Sequence, residues 1–246
     1  NQGIETKTIP GKLVTTRKPL FDQQGGWKAK TNICSCGNFE EGTEGGDYMN
    51  RADVPATFEL RVLIAMAAIR KWACGALDIE TAFLHATMND EIDGVVLVMP
   101  PKLLVTLGLL EEGVYWKLDK VLYGLRAGPK KWGDQRDDKL HGLPVKYMGH
   151  EKDVDYDETL FEKDAKFVQC GRSNHIWKVM YNGVLLAVAT VYVDDIFIIG
   201  PRGIIRGAIA AVRGHWACKV TGIIEPGGLG VSRTNPDCCP EAYRTT

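Results

Sequence analysis

The chain has no apolar run near the roughly 18 to 20 residues needed to span a membrane as a helix. Its N-terminus, NQGIETKTIPGK, lacks the charged, apolar and small-residue series of a signal peptide. An intracellular protein is therefore expected, cytoplasmic or nuclear, with no membrane partner. Charge of one sign is not in excess: 30 basic side chains face 31 acidic ones, for a net charge of −1. That excludes binding nucleic acid through bulk charge alone, though not through a local groove. A disulfide framework is lacking too. The seven cysteines are odd in number and share no repeated spacing. Cys34-x-Cys36 and Cys238–Cys239 are not zinc spacings, and no histidine pair completes them. Reduced thiols are expected. There is no internal repeat, and composition excludes collagen, coiled coil and wholesale disorder. The missing initiator Met points to a piece of a longer product.

What remains is a chain of 246 residues, 45% of them hydrophobic, enough for one large core or two small ones. Residues 1–26 are polar and Gly-rich, and Trp27–Glu40 reads as a strand or hairpin. Thr57 is placed to cap a helix with Leu60, Leu63, Ile64, Ala67 and Ala68 on one face. Ala73–Leu77 reads as a buried strand ending at Asp78, with a helix over Thr81–Met88. Val95–Met99 and Val114–Leu118 are further β-rich runs, and Pro129 opens a helix to about His141. His175–Tyr181, Asn182–Gly183 and Val184–Val193 form a strong hairpin signal. Ile196–Ile199 is a strand and Gly203–Trp216 a helix; after Glu225 the chain is Gly- and Pro-rich. Without regular βαβ alternation, the fold class is α+β.

Three stretches carry chemistry. In Leu185–Gly200, two β-prone runs flank Asp194–Asp195. Asp-Asp is poor turn chemistry, because a tight hairpin turn wants Asn-Gly or a similar pair. A local violation of this kind is expected at a functional site, and hard carboxylate oxygens suit Mg²⁺. The plainer alternative is a solvated acidic turn. Asp78 ends an apolar strand on a rigid support, where it either joins the pair in a two-metal site or caps the next helix. Glu80 competes as a ligand. The third stretch, WKLDKVLYGLRAGPKKW from Trp116 to Trp132, interleaves cations, aromatics and glycines, a mix that stacks on bases and holds phosphates.

YVDD at Tyr192–Asp195, LDIETAFLHA at Leu77–Ala86 and KLDKVLYGLRAGPKKW at Lys117–Trp132 together resemble the Ty1/copia class of retrotransposon reverse transcriptase. LRVLIAMAAIRKW and DETLF agree with its flanking segments. The resemblance implies an RNA-directed DNA polymerase of fingers and palm, an antiparallel palm sheet backed by helices, and a truncated thumb. It divides the chain into fingers (1–72), palm (73–99), a nucleotide-contact segment (100–131), palm with the catalytic hairpin (132–200) and the start of a thumb (201–246). It makes Asp78, Asp194 and Asp195 the catalytic, metal-holding carboxylates for two Mg²⁺, with Mn²⁺ as a substitute. Phe83, Tyr123, Gly124, Lys28 and Lys30 fall at dNTP-contacting positions. Phe83 is the aromatic set against the sugar 2′ position, or else a plain core residue. Lys117, Lys120, Arg126, Lys130, Lys131 and Trp132 are candidates for binding nucleic acid. Implied partners are an RNA template, a DNA primer, dNTP, and the integrase and RNase H segments of a Pol polyprotein, which this sequence does not contain.

Departures from the pattern point to a fragment or a decayed copy. KTNICSCG puts Asn32 and Cys36 where the family carries arginine, and Ala127 stands where glutamine is common. Residues 231–246 match nothing in the family. Two rival functions remain: a decayed, non-catalytic nucleic-acid-binding remnant, and an unrelated α+β enzyme acting on a small molecule.

Overall fold

The computed structural model describes residues 6–19, 26–40, 57–171 and 173–224, with the backbone of 231–232. In chain order the elements are β1 (Thr6–Pro19), β2 (Trp27–Ser35), α1 (Thr57–Arg70), β3 (Ala73–Ile79), α2 (Asp90–Asp93), β4 (Val95–Met99), α3 (Lys102–Thr106), β5 (Trp116–Lys117) and α4 (Gly128–Leu140). There follow β6 (Pro144–Val145), β7 (Ala165–Cys170), β8 (Ser173–Tyr181), β9 (Val184–Tyr192), β10 (Asp195–Gly200), α5 (Arg202–Arg213), β11 (Cys218–Ile224) and β12 (Val231–Ser232). The mixture of sheets and helices is compatible with α+β. The chain divides into two compact units, residues 1–52 with 81–134, and residues 53–80 with 135–246.

The first unit holds a four-stranded sheet in the order β2-β1-β4-β5. β1 changes partner along its length: Thr6–Pro10 run parallel to β4, and Gly11–Pro19 pair antiparallel with β2. The change falls at Pro10–Gly11, where a Cβ on Gly11 would stand 2.7 Å from the Met99 carbonyl oxygen. Two expectations are corrected here. Thr81–Met88 is not an α-helix but a 3₁₀ turn over Ala82–His85, with Thr81 left-handed (φ 54°). Thr87 then bridges to Lys120, which draws the chain into extended geometry. The Val114–Leu118 run is cut to the two residues of β5.

The second unit is built on an eight-stranded sheet, β12-β11-β3-β10-β9-β8-β7-β6, in which every pairing is antiparallel. β8 and β9 turn at Asn182 (φ 44°) and Gly183 (φ 81°), as the Asn-Gly signal requires. Strict alternation along β3 sends Ala73, Gly75, Leu77 and Ile79 to one face, and Cys74, Ala76 and Asp78 to the other. α5 lies on the first face with Ile204, Ile205, Ala208 and Ile209 buried. Gly75 permits the approach: a Cβ there would stand 2.6 Å from Ile205 Cγ2. α1 packs on the second face, Leu63 and Ala67 joining Val188 and Ile199.

The expected face of α1 is narrower than its sequence spacing implied. Leu63 and Ala67 are buried, whereas Leu60, Ile64 and Ala68 are exposed, and Thr57 is the first helical residue rather than its cap. The two compact units follow contacts within the chain. α1 belongs with β3 rather than with residues 1–52, and residues 81–99 leave β3 for the first unit. β11 joins the sheet that carries Asp78, pairing with β3, and α5 packs on it. Of the unmatched segment 231–246 only the backbone of 231–232 is described; residues 225–230 and 233–246 lie outside the described residues.

Candidate active site

β3 is a central strand, and its register places three charged residues in one row. Asp78 stands opposite Asp195 of β10 on one side and opposite Lys219 of β11 on the other. Directly opposed residues in antiparallel strands project to the same face, with Cβ atoms about 4.5–5.5 Å apart. Tyr192 of β9 extends the row beyond Asp195. The face is the one that α1 covers at its other end, through Cys74, Phe197 and Ile199. A hydrophobic pad therefore anchors one end of the strands while the carboxylates stand at the open end.

Asp194 reaches the site from the turn. The two-residue loop between β9 and β10 is Val193–Asp194, with Asp195 already the first residue of its strand. This corrects the expectation that Asp194–Asp195 is the turn pair. The offending residue is Val193, at φ 52°. A β-branched side chain in the left-handed region costs on the order of 1–3 kcal/mol. Hydrogen bonds support this geometry, among them the Ile79 amide donating to the Asp194 carbonyl at 2.9 Å and Arg136 Nη1 donating to the Val193 carbonyl at 3.1 Å.

Loss of hydration around the Asp195 carboxyl pushes it above its ordinary range although the residue is exposed overall, and the charges of Asp194 and Asp78 push in the same direction. Among the described residues, no three His, Cys, Asp or Glu side chains stand close enough together to hold one metal ion. The donor chemistry fits Mg²⁺ nonetheless: all three candidates are carboxylates, and two already face each other. Burial pushes the neighbouring Cys218 thiol up to about 11, so it is no nucleophile at neutral pH. Glu80, the competing ligand, is exposed past the end of β3, and its amide is tied to the Ala217 carbonyl. The five described cysteines are all free thiols, and no described helix is long and apolar enough to cross a membrane.

Within the first unit, two of the expected nucleotide-contacting residues meet. Phe83 packs edge-on against Tyr123, ring centroids 4.9 Å apart at 83°. Gly124 has φ 95°, and a Cβ on it would lie 2.1 Å from the Ser35 carbonyl oxygen. The Tyr123–Gly124 backbone is in fact stitched to the end of β2. Ser35 donates its amide to the Tyr123 carbonyl at 2.7 Å, and Gly37 donates to the Gly124 carbonyl at 3.1 Å. Lys28 and Lys30 lie exposed on β2, with Lys28 opposite Lys18.

The expected nucleic-acid-binding residues fall into three groups. Lys117 is paired with Asp90 at 2.6 Å, Lys130 with Asp134 at 2.6 Å and Lys131 with Asp93 at 2.6 Å. Lys120 and Arg126 are exposed, the Arg126 amide donating to Glu40 Oε2 at 3.1 Å. Trp132 is 0% exposed, a correction: its indole is core and offers no face to a base. Sequence reasoning missed Lys219 and Arg136. Lys219 has no sequence signal, since its place beside Asp78 comes from strand register. Arg136 carries a faint one, as a cation on the inner side of a predicted helix.

The model of the family described as reverse transcriptase (RNA-dependent DNA polymerase) matches residues 2–154. The chain is 26% identical over 155 residues to the retrovirus-related Pol polyprotein from transposon TNT 1-94 of Nicotiana tabacum, covering 63% of this chain and 9% of that protein. It is similar to the corresponding polyproteins from transposons RE1 and RE2 of Arabidopsis thaliana. These are 27% and 28% identical over 144 residues each, covering 57% of this chain and 8% of either protein. The chain thus spans less than a tenth of the curated relatives it matches.

Proposed function

The chain belongs to the reverse transcriptase (RNA-dependent DNA polymerase) family, and from that premise we propose that it carries out template-directed nucleotidyl transfer from dNTP to a primer 3′-hydroxyl. The observation that carries the proposal is the cross-strand pairing of Asp78 with Asp195, beside the Asp194 turn, on one open sheet face. In the reaction the primer 3′-oxygen forms a bond to the α-phosphorus, the bond to the leaving pyrophosphate breaks, and the hydroxyl proton passes to solvent water. Asp78, Asp194 and Asp195 would hold two Mg²⁺, or Mn²⁺ in their place, which when bound supply positive charge for the attacking and leaving oxygens.

The protein's own part is placement. β3 and β10 are central strands, so their carboxylates stand on a rigid support, and rigid placement is worth most in phosphoryl transfer. The Phe83–Tyr123 pair offers an aromatic surface for a nucleotide sugar. Lys28, Lys30, Lys120 and Arg126 offer cations for phosphates. RNA template, DNA primer and dNTP are the proposed substrates, and integrase and RNase H segments of a Pol polyprotein the proposed companions.

A second reading, a nucleic-acid-binding module without turnover, is favoured by Asn32 and Cys36, which stand on or beside β2 where the resembling family carries arginine. Primer extension on an RNA template with Mg²⁺ separates the two. The unaltered chain should extend the primer. Asp78→Asn and Asp194→Asn should each lower the rate by about 10³-fold or more while leaving the fold intact, since several kcal/mol of charge stabilisation is at stake. Duplex binding with no extension by the unaltered chain would establish the second reading instead.

A further inference from the structure

Arg136 lies on α4 with 6% of its surface exposed, one of four buried polar or charged residues among those described. Its guanidinium is gripped from behind: Nε and Nη2 both donate to Asp137 Oδ1, at 2.9 and 2.7 Å. Asp137 is itself fixed, because its Oδ2 accepts from Gln169 Nε2 at 3.0 Å. Gln169 Nε2 also donates to the Asn174 carbonyl at 2.9 Å, which ties the group to β7 and β8. With the fork held in this way, Nη1 points forward to the Val193 carbonyl, 57 residues away in sequence.

We propose that Arg136 is a positioning residue for the carboxylate pair: its buried guanidinium holds the Val193 carbonyl and so keeps the Val193–Asp194 turn in its left-handed geometry. The inference rests on the nucleotidyl-transfer reading for its catalytic meaning, and on the hydrogen bonds alone for its structural one. A tight hairpin turn normally meets the need for positive φ with glycine or asparagine. Here a valine occupies that place, and such strain persists only where the surroundings over-determine it. A planar, permanently charged fork suits this task. It can grip a carboxylate through two nitrogens and still present a third N–H in a fixed direction. A lysine ammonium is a single point of charge and has no such fixed third direction.

The turn has a built-in reporter. The Ile79 amide donates to the Asp194 carbonyl, so its hydrogen exchange reads whether the turn is in place, with or without activity. In the full chain carrying Arg136→Lys, exchange at Ile79 should quicken by about tenfold or more, while sheet amides such as Ile198 and Ala189 hold their rates. Adding Val193→Gly should restore protection at Ile79, because glycine takes positive φ without cost. If Arg136→Lys does not fold, Asp137→Asn, which loosens the grip but keeps its shape, carries the same expectation. Unchanged exchange at Ile79, or equal loosening of all sheet amides, would overturn the proposal. In primer extension, the same variant should lower kcat and raise the Mg²⁺ concentration for half-maximal rate several-fold, with KM for primer–template unchanged. If the unaltered chain extends no primer, the nucleotidyl-transfer reading fails, and Ile79 exchange still decides the role of Arg136.

Discussion

Asp78 and Asp195 stand directly opposite each other on neighbouring antiparallel strands, two like charges where a sheet ordinarily pairs opposite or neutral residues. Lys219, opposite Asp78 on the other flank, sets one cation in the same row. The like-charge pairing opposes folding.

Removing the Asp195 charge should therefore stabilise the chain when no divalent cation is present. The native state raises this carboxyl's pKa, so it holds the proton more tightly than the unfolded chain does. The penalty is full above the raised pKa and shrinks as pH falls through it. Asp153 behaves oppositely. Hydrogen bonding to Arg206 holds its carboxyl below the ordinary range, and its stabilisation is lost as pH falls through that lowered value. Asp195 is exposed, so solvent screening limits the gain from Asp195→Asn to a fraction of a kcal/mol, or about 1–2 °C in Tm. Thermal melts in EDTA from neutral pH down through the acid range should show the difference between Asp195→Asn and the unaltered chain narrowing as pH falls, with extension abolished in the variant. A variant that melts lower at neutral pH would contradict the assigned repulsion.

The cations of the first unit should contribute unequally to duplex binding. Lys28, Lys30 and Lys120 have no salt-bridge partner among the described residues, whereas Lys117, Lys130 and Lys131 are each paired with an aspartate. Lys28→Ala and Lys120→Ala should each reduce the slope of log affinity against log salt by about 1. Lys130→Ala and Lys131→Ala should change it less. Lys131→Ala should also lower Tm, since it leaves Asp93, only 11% exposed, without its partner. Equal slopes across all four variants would mean the ion pairs do not constrain binding.

Phe83→Val tests sugar choice. The ring is only half-buried and rests edge-on against Tyr123, so replacing it removes a contact worth about 0.5–1.5 kcal/mol beyond its area. If the aromatic meets the sugar, the ratio of kcat/KM for rNTP to that for dNTP should rise about tenfold, equivalent to roughly 1.4 kcal/mol. A ratio that stays constant in a folded, active variant assigns Phe83 to packing.

Gly124→Ala should unstitch the Tyr123 loop from β2. Both the positive φ and the 2.1 Å approach to the Ser35 carbonyl oppose a side chain, so the cost should exceed about 1 kcal/mol. Exchange of the Ser35 and Gly37 amides should quicken, as both donate to that loop. Wild-type protection at these amides would refute the close approach.

Much of the carboxylate strand and hairpin was legible, because local chemistry determines it. Asn182–Gly183 dictates its own turn, and the apolar run of β3 ends beside Asp78 whatever surrounds it. Register was not legible. Nothing in the sequence says that Asp195 rather than Asp194 faces Asp78, or that Lys219 stands on the other side, because those pairings join segments more than a hundred residues apart. β1 escaped notice for a different reason. Residues 1–26 are polar and Gly-rich, and Pro10–Gly11, which interrupts the β pattern, marks the point where one strand leaves β4 for β2. Trp132 misled because its neighbours are cations, while its own position faces the core.

From Gly11 onward, β1 is paired only with β2 among the described residues, a two-stranded ribbon with no further described strand on either edge. Open edges invite other chains to add strands, and lysines are a common deterrent. Lys12, Arg17, Lys18, Lys28 and Lys30 line it, with no acidic side chain among its described residues. A variant stripped of all five should therefore lose colloidal stability together with affinity for nucleic acid. Light scattering would detect that loss before any binding measurement is interpreted.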